Sequence, residues 1–304
     1  MNRRMFTKAL ATAAIATAVP SLPAVALPLA DSPKGKDTAA PPFPLSVMLW
    51  TVFPGKPFED RLAKVAEAGY TSVELVGEYK DWGGADFTKA NAAKKRLGLS
   101  FDATAGLENF IGNPATTDDL LDELGRAMIP MDAVDCPAMI MLSGNVIPSL
   151  TREAQHAACV NSLKRAAAFV EGREIAGQPV RLLLECIDPE ENPKCFLQSA
   201  SEALEIVRAV NHPQVQFLYD IYHEQIAEGN LIEKLEKNID LIGLIHVADV
   251  PGRHEPGTGE INYANIFRKL VQLNYKRTVA MEFHPAADTV AALRAAKAMV
   301  MGAV

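Results

Sequence analysis

The sequence has no apolar run long enough for a stable membrane span, no cysteine pair at metal or redox spacing, and no surplus of basic charge. Its Ala-rich run near the start is too short to cross a bilayer. The four cysteines, Cys136, Cys159, Cys186 and Cys195, lack the spacing of a zinc or dithiol site. Cys186 and Cys195 are the closest pair in sequence and could join in an oxidising compartment, but buried free thiols are the commoner outcome. Acids outnumber bases 37 to 30. Such a surface does not attract nucleic acid, which argues against DNA or RNA chemistry before any motif is read. A glycine-rich phosphate loop is missing too, since the first apolar run leads into LWTVFPGKPF.

What is present starts with residues 1–26. A twin arginine, Arg3 and Arg4, precedes Phe6 and Lys8, then an apolar run, then Ala24-Val25-Ala26 as a cleavage site. This resembles a twin-arginine export signal, and it implies a periplasmic protein. Cleavage would remove three basic residues and no acid, leaving a net charge of −10. Residues 27–44 are rich in Pro and Ala without apolar period and are expected to form a linker.

From Leu45 the pattern becomes regular. Eight short apolar runs follow: LSVMLWT, TSVELV, LSFDATA, PAMIMLS, VRLLLEC, VQFLYDI, LIGLIHVAD and RTVAMEF. Between them lie amphipathic stretches such as SASEALEIVRAV and YANIFRKLVQLN, many closed by Gly or Asn as helix C-caps are. Eight strand–helix units over about 260 residues have the rhythm of a (β/α)8 TIM barrel, and a single α/β domain over 45–304 is expected. An open doubly wound sheet is the rival, and the missing phosphate loop weighs against it.

The last four runs end in polar residues: Glu185, Asp220, His246 and Glu282. In a barrel all strand ends meet at one face, where active sites lie. One such residue alone reads equally well as a loop residue facing water. Four in succession, with no Lys or Arg among them, point to a shared partner. Three carboxylates and an imidazole would repel there unless a cation joins them. Three oxygen donors and one nitrogen suit Mn²⁺ or Mg²⁺, with Co²⁺ and Zn²⁺ as the other candidates. Glu74, in SVEL, is expected to point into the barrel behind these groups. Trp50, read as the end of the first strand, is expected to line the pocket or simply to pack. Cys186 should turn toward the helical layer by strand alternation. His156 and His212 read as structural or exposed.

Two segments, FLYDIYHEQIAEGNL and HVADVPGRHEPGTGEINY, resemble the hydroxypyruvate isomerase family within the xylose-isomerase-like barrel superfamily, with similarity from about Leu45 onward. The resemblance implies that Glu185, Asp220, His246 and Glu282 bind a divalent metal. It implies that Glu185 and Glu282 are the catalytic acid/base pair of an aldose–ketose isomerase. It further implies that His223 and Arg253 touch substrate oxygens. The second segment is then the loop after the seventh strand, walling the site, with Arg253 aimed inward and His254 or Glu255 either joining it or forming a solvated tip.

Two places depart from the family pattern. Glu-Pro-Ile-Asn is here Glu185-Cys186-Ile187-Asp188, and Glu-Tyr-Lys-Pro is here Glu282-Phe283-His284-Pro285. The second change removes a Lys that could pair with a substrate carboxylate. The expected partner is a small sugar or keto acid, with homo-oligomerisation left open. The alternatives are an exported epimerase or isomerase of a neutral sugar on the same metal site, and a non-catalytic sugar-binding protein. A metal-dependent phosphodiesterase on the same barrel would need more ligands and a basic groove.

Overall fold

The computed structural model describes residues 40–304. Residues 1–39, which hold the expected export signal and most of the expected linker, lie outside the described residues. Eight parallel strands close into a barrel in chain order: β1 (Leu45–Met48), β2 (Ser72–Leu75), β3 (Ser100–Thr104), β4 (Ala138–Leu142), β5 (Arg181–Glu185), β6 (Val215–Asp220), β7 (Ile242–Val247) and β8 (Thr278–Met281). Helices cover the outside: α1 (Phe58–Glu67), α2 (Gly84–Leu97), α3 (Thr117–Ala133), α4 (Arg152–Val170), α5 (Ala200–Val210), α6 (Ile221–Ala227), α7 (Leu231–Asn238), α8 (Tyr263–Gln272) and α9 (Thr289–Met301). The expected (β/α)8 architecture is therefore present. No helix among the described residues is long and apolar enough to cross a membrane.

Local chemistry explains why these segments fold as they do. In α5, Ser199 accepts the N–H of Glu202, Asn211 closes the helix in the left-handed region, and Ala203, Leu204, Ile206, Val207 and Val210 bury one face. Most strand positions are apolar on both faces because helices cover one side and the barrel fills the other, while Ser46 and Ser72 both donate to Asp102 at 2.7 Å. Leu182, Leu184, Phe217, Ile245 and Val279 pack under the helices, while Leu183, Leu218, Leu244 and Ala280 form a separate cluster inside the barrel. Cys186 belongs to the outer cluster, as alternation predicts, and all four thiols are free and buried.

One register shift sets the site. β6 and β7 pair Phe217 with Ile242, but the next pair is Leu218 with Leu244, so Gly243 is skipped. The shift brings Asp220 level with His246. Only glycine fits at the skipped position: a Cβ there would lie 2.8 Å from the Gln216 Cβ and from a Leu183 methyl.

Phe43, within the expected linker, is 2% exposed and packs against Phe267 and Tyr275, with ring centroids 6.3 and 6.4 Å away. The Pro44 carbonyl accepts the N–H of Val279. The residues just before β1 thus pack on the barrel, because a single aromatic in a Pro-rich stretch finds a place beside α8. Other boundaries also move. β1 ends at Met48, leaving Trp50 in a 3-10 turn (Leu49–Thr51); β7 runs one residue beyond His246; and Glu282 is the first residue past β8.

Candidate active site

Glu185, Asp220, His246 and Glu282 converge at the C-terminal mouth of the barrel, each offering a ligand atom within 4.8 Å of the others. All four are buried. Asp220 serves twice: Oδ1 accepts the N–H groups of Tyr222 (2.8 Å) and His223 (3.3 Å), capping α6, which leaves Oδ2 for the cluster. His246 is held from both sides. Its Nδ1 lies 2.8 Å from Glu282 Oε2 and 3.8 Å from Glu185 Oε1, and its Nε2 lies 2.8 Å from Glu74 Oε2. Glu74 therefore points into the barrel behind the site, as its place in β2 suggests.

The environment drives the two site glutamates apart. Burial, and then the charge of Glu282, push Glu185 up to about 8. Burial acts on Glu282 as well, yet the charges of His246 and Arg253 outweigh it and hold that carboxyl far below the ordinary range. Burial alone would lower His246, but the carboxylates of Glu282 and Glu74 raise it well above its usual value. Glu74 itself is pushed up to about 7, mainly by burial.

His223 and Arg253 also reach this cluster. His223 Nε2 lies 3.5 Å from Asp220 Oδ2, and Nδ1 lies 2.6 Å from Asp188 Oδ2. Arg253 Nη2 pairs with Glu282 Oε2 at 2.8 Å, and Nη1 meets both oxygens of Glu191 at 2.8 and 2.6 Å. The guanidinium carbon sits 5.0 Å from the centre of the Tyr222 ring and 5.5 Å from that of Trp50. All six expected site residues thus meet at one place.

Trp50 lines the site, the first of the two roles its position suggested, and its Nε1 donates to Glu282 Oε1 at 2.7 Å. Two other features, Glu191 and Asp249, were not read from the sequence. Glu191 closes over Arg253 from the β5–α5 loop. Asp249, just after β7, accepts the N–H groups of Val250, Gly257, Gly259 and Ile261 at 2.8–3.0 Å and so organises the whole following loop. That loop holds Arg253 at φ 55°, a conformation most side chains avoid. His254 and Glu255 do not aim inward. His254 Nδ1 donates to the His284 carbonyl, and Glu255 accepts the N–H of Ala286, so both lace this loop to the one after β8. His156 bonds Glu202 on the outer layer, and His212 lies before β6, both away from the site.

Residues 62–299 match the family model described as a xylose isomerase-like TIM barrel. The chain belongs to that family. It is 29% identical over 242 residues to a 2-oxo-tetronate isomerase of Pectobacterium atrosepticum, covering 78% of this chain and 90% of that one. It is also 29% identical over 242 residues to a hydroxypyruvate isomerase of Escherichia coli K12, covering 78% and 92%. Among solved structures, a Brucella melitensis protein described as an AP endonuclease of family 2 superposes with a TM-score of 0.74 at 27% identity, covering 84% of this chain and 97% of that one. Both sequence relatives are isomerases, and so is this chain.

Trp50→Phe keeps an aromatic wall but removes the N–H that holds Glu282. A hydrogen bond to a charged group is worth about 1.5–3 kcal/mol. The substitution should lower kcat about tenfold or more and Tm by several degrees, read by steady-state kinetics and a thermal melt. An unchanged kcat would mean that Glu282 needs no such support.

Proposed function

We propose that this isomerase interconverts an aldose and a ketose by moving a proton between Glu185 and Glu282 through an enediolate of the substrate, with the assistance of a divalent metal. The observation that carries this reading is the convergence of Glu185 and Glu282, from the ends of two different strands, with Asp220 and His246 in one buried cluster whose ligand atoms lie within 4.8 Å of one another. The donor set fits a metal. Three carboxylates and one imidazole are buried together, an oxygen-rich set whose charge a divalent cation would offset. Glu185, Asp220, His246 and Glu282 would hold the ion, Mn²⁺ or Mg²⁺ by their oxygen-rich character, with Co²⁺ or Zn²⁺ as alternatives. Such an ion would supply Lewis acidity to the substrate's oxygens.

The chain's own groups account for the remaining steps. Glu282, its carboxylate paired with Arg253, takes the proton from the carbon beside the carbonyl. Glu185 gives its proton to the adjacent carbon while the hydroxyl hydrogen passes from one substrate oxygen to the other, and proton exchange between the two glutamates through solvent restores the starting state. His223 Nε2 and Arg253 are placed to hold substrate oxygens, while Trp50, Tyr222 and the loop after β7 keep water from the enediolate. A metal-dependent phosphodiesterase fits less well, because the chain carries a net charge of −7 and lacks a basic groove in its sequence pattern.

The relatives act, by their names, on hydroxypyruvate and 2-oxo-tetronate, and a small keto acid is the first substrate class. A neutral sugar is the second reading, and the state of Arg253 favours it: the residue is 6% exposed and its guanidinium is already paired with Glu282 and Glu191. The exposed His284 stands where the resembling motif has Lys. We further propose that the protein works in the periplasm, on the strength of its Arg3-Arg4 signal.

Glu185→Gln and Glu282→Gln should each cut turnover by roughly a hundredfold or more while keeping the fold. Metal content must be measured in both, since both residues are proposed ligands. Chelation should lower Tm by linkage, and Asp220→Ala or His246→Ala should weaken metal binding; a titration with no binding to metal-free protein would end the metal reading. Kinetics at equal Mn²⁺ should give a neutral keto or aldo sugar the higher kcat/KM; a clear preference for hydroxypyruvate would restore the acid reading. Changing both Arg3 and Arg4 to Lys should abolish the periplasmic fraction, and an unchanged fraction would refute export by this route.

A further inference from the structure

Arg253 has a part in the proposed chemistry, yet it stands in a loop and in a backbone conformation that a loop does not hold unaided. We propose that Asp249 is a positioning residue: it touches no reacting group, and turnover depends on it because it ties both arms of the loop between β7 and α8 to one carboxylate and so sets Arg253 in place. The proposal rests on the isomerase reading above for its effect on turnover, though not for its structural content.

Asp249 lies just beyond the end of β7 and is wholly buried. Its two oxygens divide the loop between them. Oδ1 accepts the N–H groups of Val250 and Ile261, both at 3.0 Å, one at each end of the loop. Oδ2 accepts those of Gly257 (2.8 Å) and Gly259 (2.9 Å), on the returning arm. The Asp249 N–H itself donates to the His254 carbonyl at 2.8 Å, directly after Arg253. The two arms also cross, since the N–H of Glu260 meets the Val250 carbonyl at 2.8 Å. Arg253 sits among these tied points at φ 55°, and its own carbonyl accepts the N–H of His284 at 2.7 Å. A residue with a long side chain keeps that conformation only where its surroundings over-determine it. Held there, the guanidinium reaches Glu282 Oε2 at 2.8 Å and Asp220 Oδ2 at 3.6 Å, and lies over the rings of Tyr222 and Trp50. Asp249 is not among its partners, so the link between the two residues is the loop backbone.

Asp249→Asn is an informative change because no orientation of an amide satisfies the site. Every group that meets the carboxylate is a backbone donor. The amide oxygen can serve Val250 and Ile261, or it can serve Gly257 and Gly259. The amide nitrogen then faces the other pair, donor against donor. Either way the loop loses ties on one arm while the barrel strands keep their own pairing. Arg253 is then free to leave the left-handed region, and its guanidinium to leave Glu282. Gly259→Ala strikes the same crossing without altering the carboxylate: its Cβ would lie 2.1 Å from the Val250 carbonyl oxygen and 2.5 Å from Asp249 Oδ1.

The test combines amide hydrogen exchange with a double-mutant cycle. In wild type the N–H groups of Gly257, Gly259 and Ile261 should exchange slowly, as bonded amides do, although they lie in a loop. Fast exchange there would overturn the proposal whatever the variants do. In Asp249→Asn and in Gly259→Ala these amides should lose protection while those of the barrel strands keep it. The Arg253 Nε–H, identified in a ¹H–¹⁵N spectrum by its absence in Arg253→Ala, should be sharp in wild type and broadened by exchange in both loop variants. On the preferred substrate, kcat/KM should fall about tenfold or more in Asp249→Asn, though no further than in Arg253→Ala. The double variant should lie within about threefold of Arg253→Ala alone, because a group that acts through Arg253 has nothing left to place. A merely structural role would lower kcat/KM in both backgrounds alike, and losses that multiply in the double variant would overturn the proposal. So would an Asp249→Asn with wild-type kcat/KM beside a damaging Arg253→Ala. Exchange and the Nε–H signal need no substrate; if Arg253→Ala itself kept full kcat/KM, the part given to Arg253 in the isomerase chemistry would fail while the assignment of Asp249 as the group that places it stood.

Discussion

His246 is gripped on both ring nitrogens by buried carboxylates, Glu282 on one side and Glu74 on the other, and the rest of the site is arranged around that grip. Without a positive centre between them, carboxylates gathered at the barrel mouth could not be buried together. The imidazole keeps Glu282 ionised and, through its second nitrogen, makes the burial of Glu74 tolerable. Arg253 approaches the same Glu282 oxygen from above. Glu185, further from both cations, resists ionisation. The difference between the two glutamates therefore follows from where one imidazole and one guanidinium stand.

Their positions come from backbone features some distance away. His246 faces Asp220 only because β7 skips Gly243 in its pairing with β6. Arg253 is held by a loop whose shape depends on a single buried carboxylate. Asp249 takes four backbone N–H groups, and Gly259 passes so close that a Cβ would lie 2.1 Å from the Val250 carbonyl oxygen. A long loop normally costs conformational entropy to order. Here one charged acceptor, two prolines and a close backbone crossing fix its path, which lets it sustain the positive φ of Arg253.

The residues that could be read from the sequence were those set by strand periodicity. An apolar run ending in a polar residue fixes both a strand and its pole, so Glu185, Asp220, His246 and Glu282 were legible before any coordinates. His223 and Arg253 became legible only by resemblance, because nothing local marks a residue in a helix start or loop as facing the site. Trp50 and Glu191 are 232 and 62 residues from the partners they touch, and no pattern in sequence encodes such a contact. His254 and Glu255 were misleading for the same reason: their chemistry suits a site, but their partners are backbone groups of the next loop. Phe43 escaped notice because its neighbours have linker composition, while its burial depends on α8.

The acids and the imidazole all come from one half of the barrel, the ends of β5 to β8. The loops after β1 to β4 are mixed: they expose Trp50, Val76, Phe110 and Val146, each at least 37% exposed, and also carry the Lys80–Glu108 pair at 3.4 Å. The groups able to orient a substrate's reacting oxygens therefore stand together on one side. Trp50 links the two sides, because its N–H reaches across from the loop after β1 to Glu282. The residue that borders the pocket is thus also tied to the proposed base.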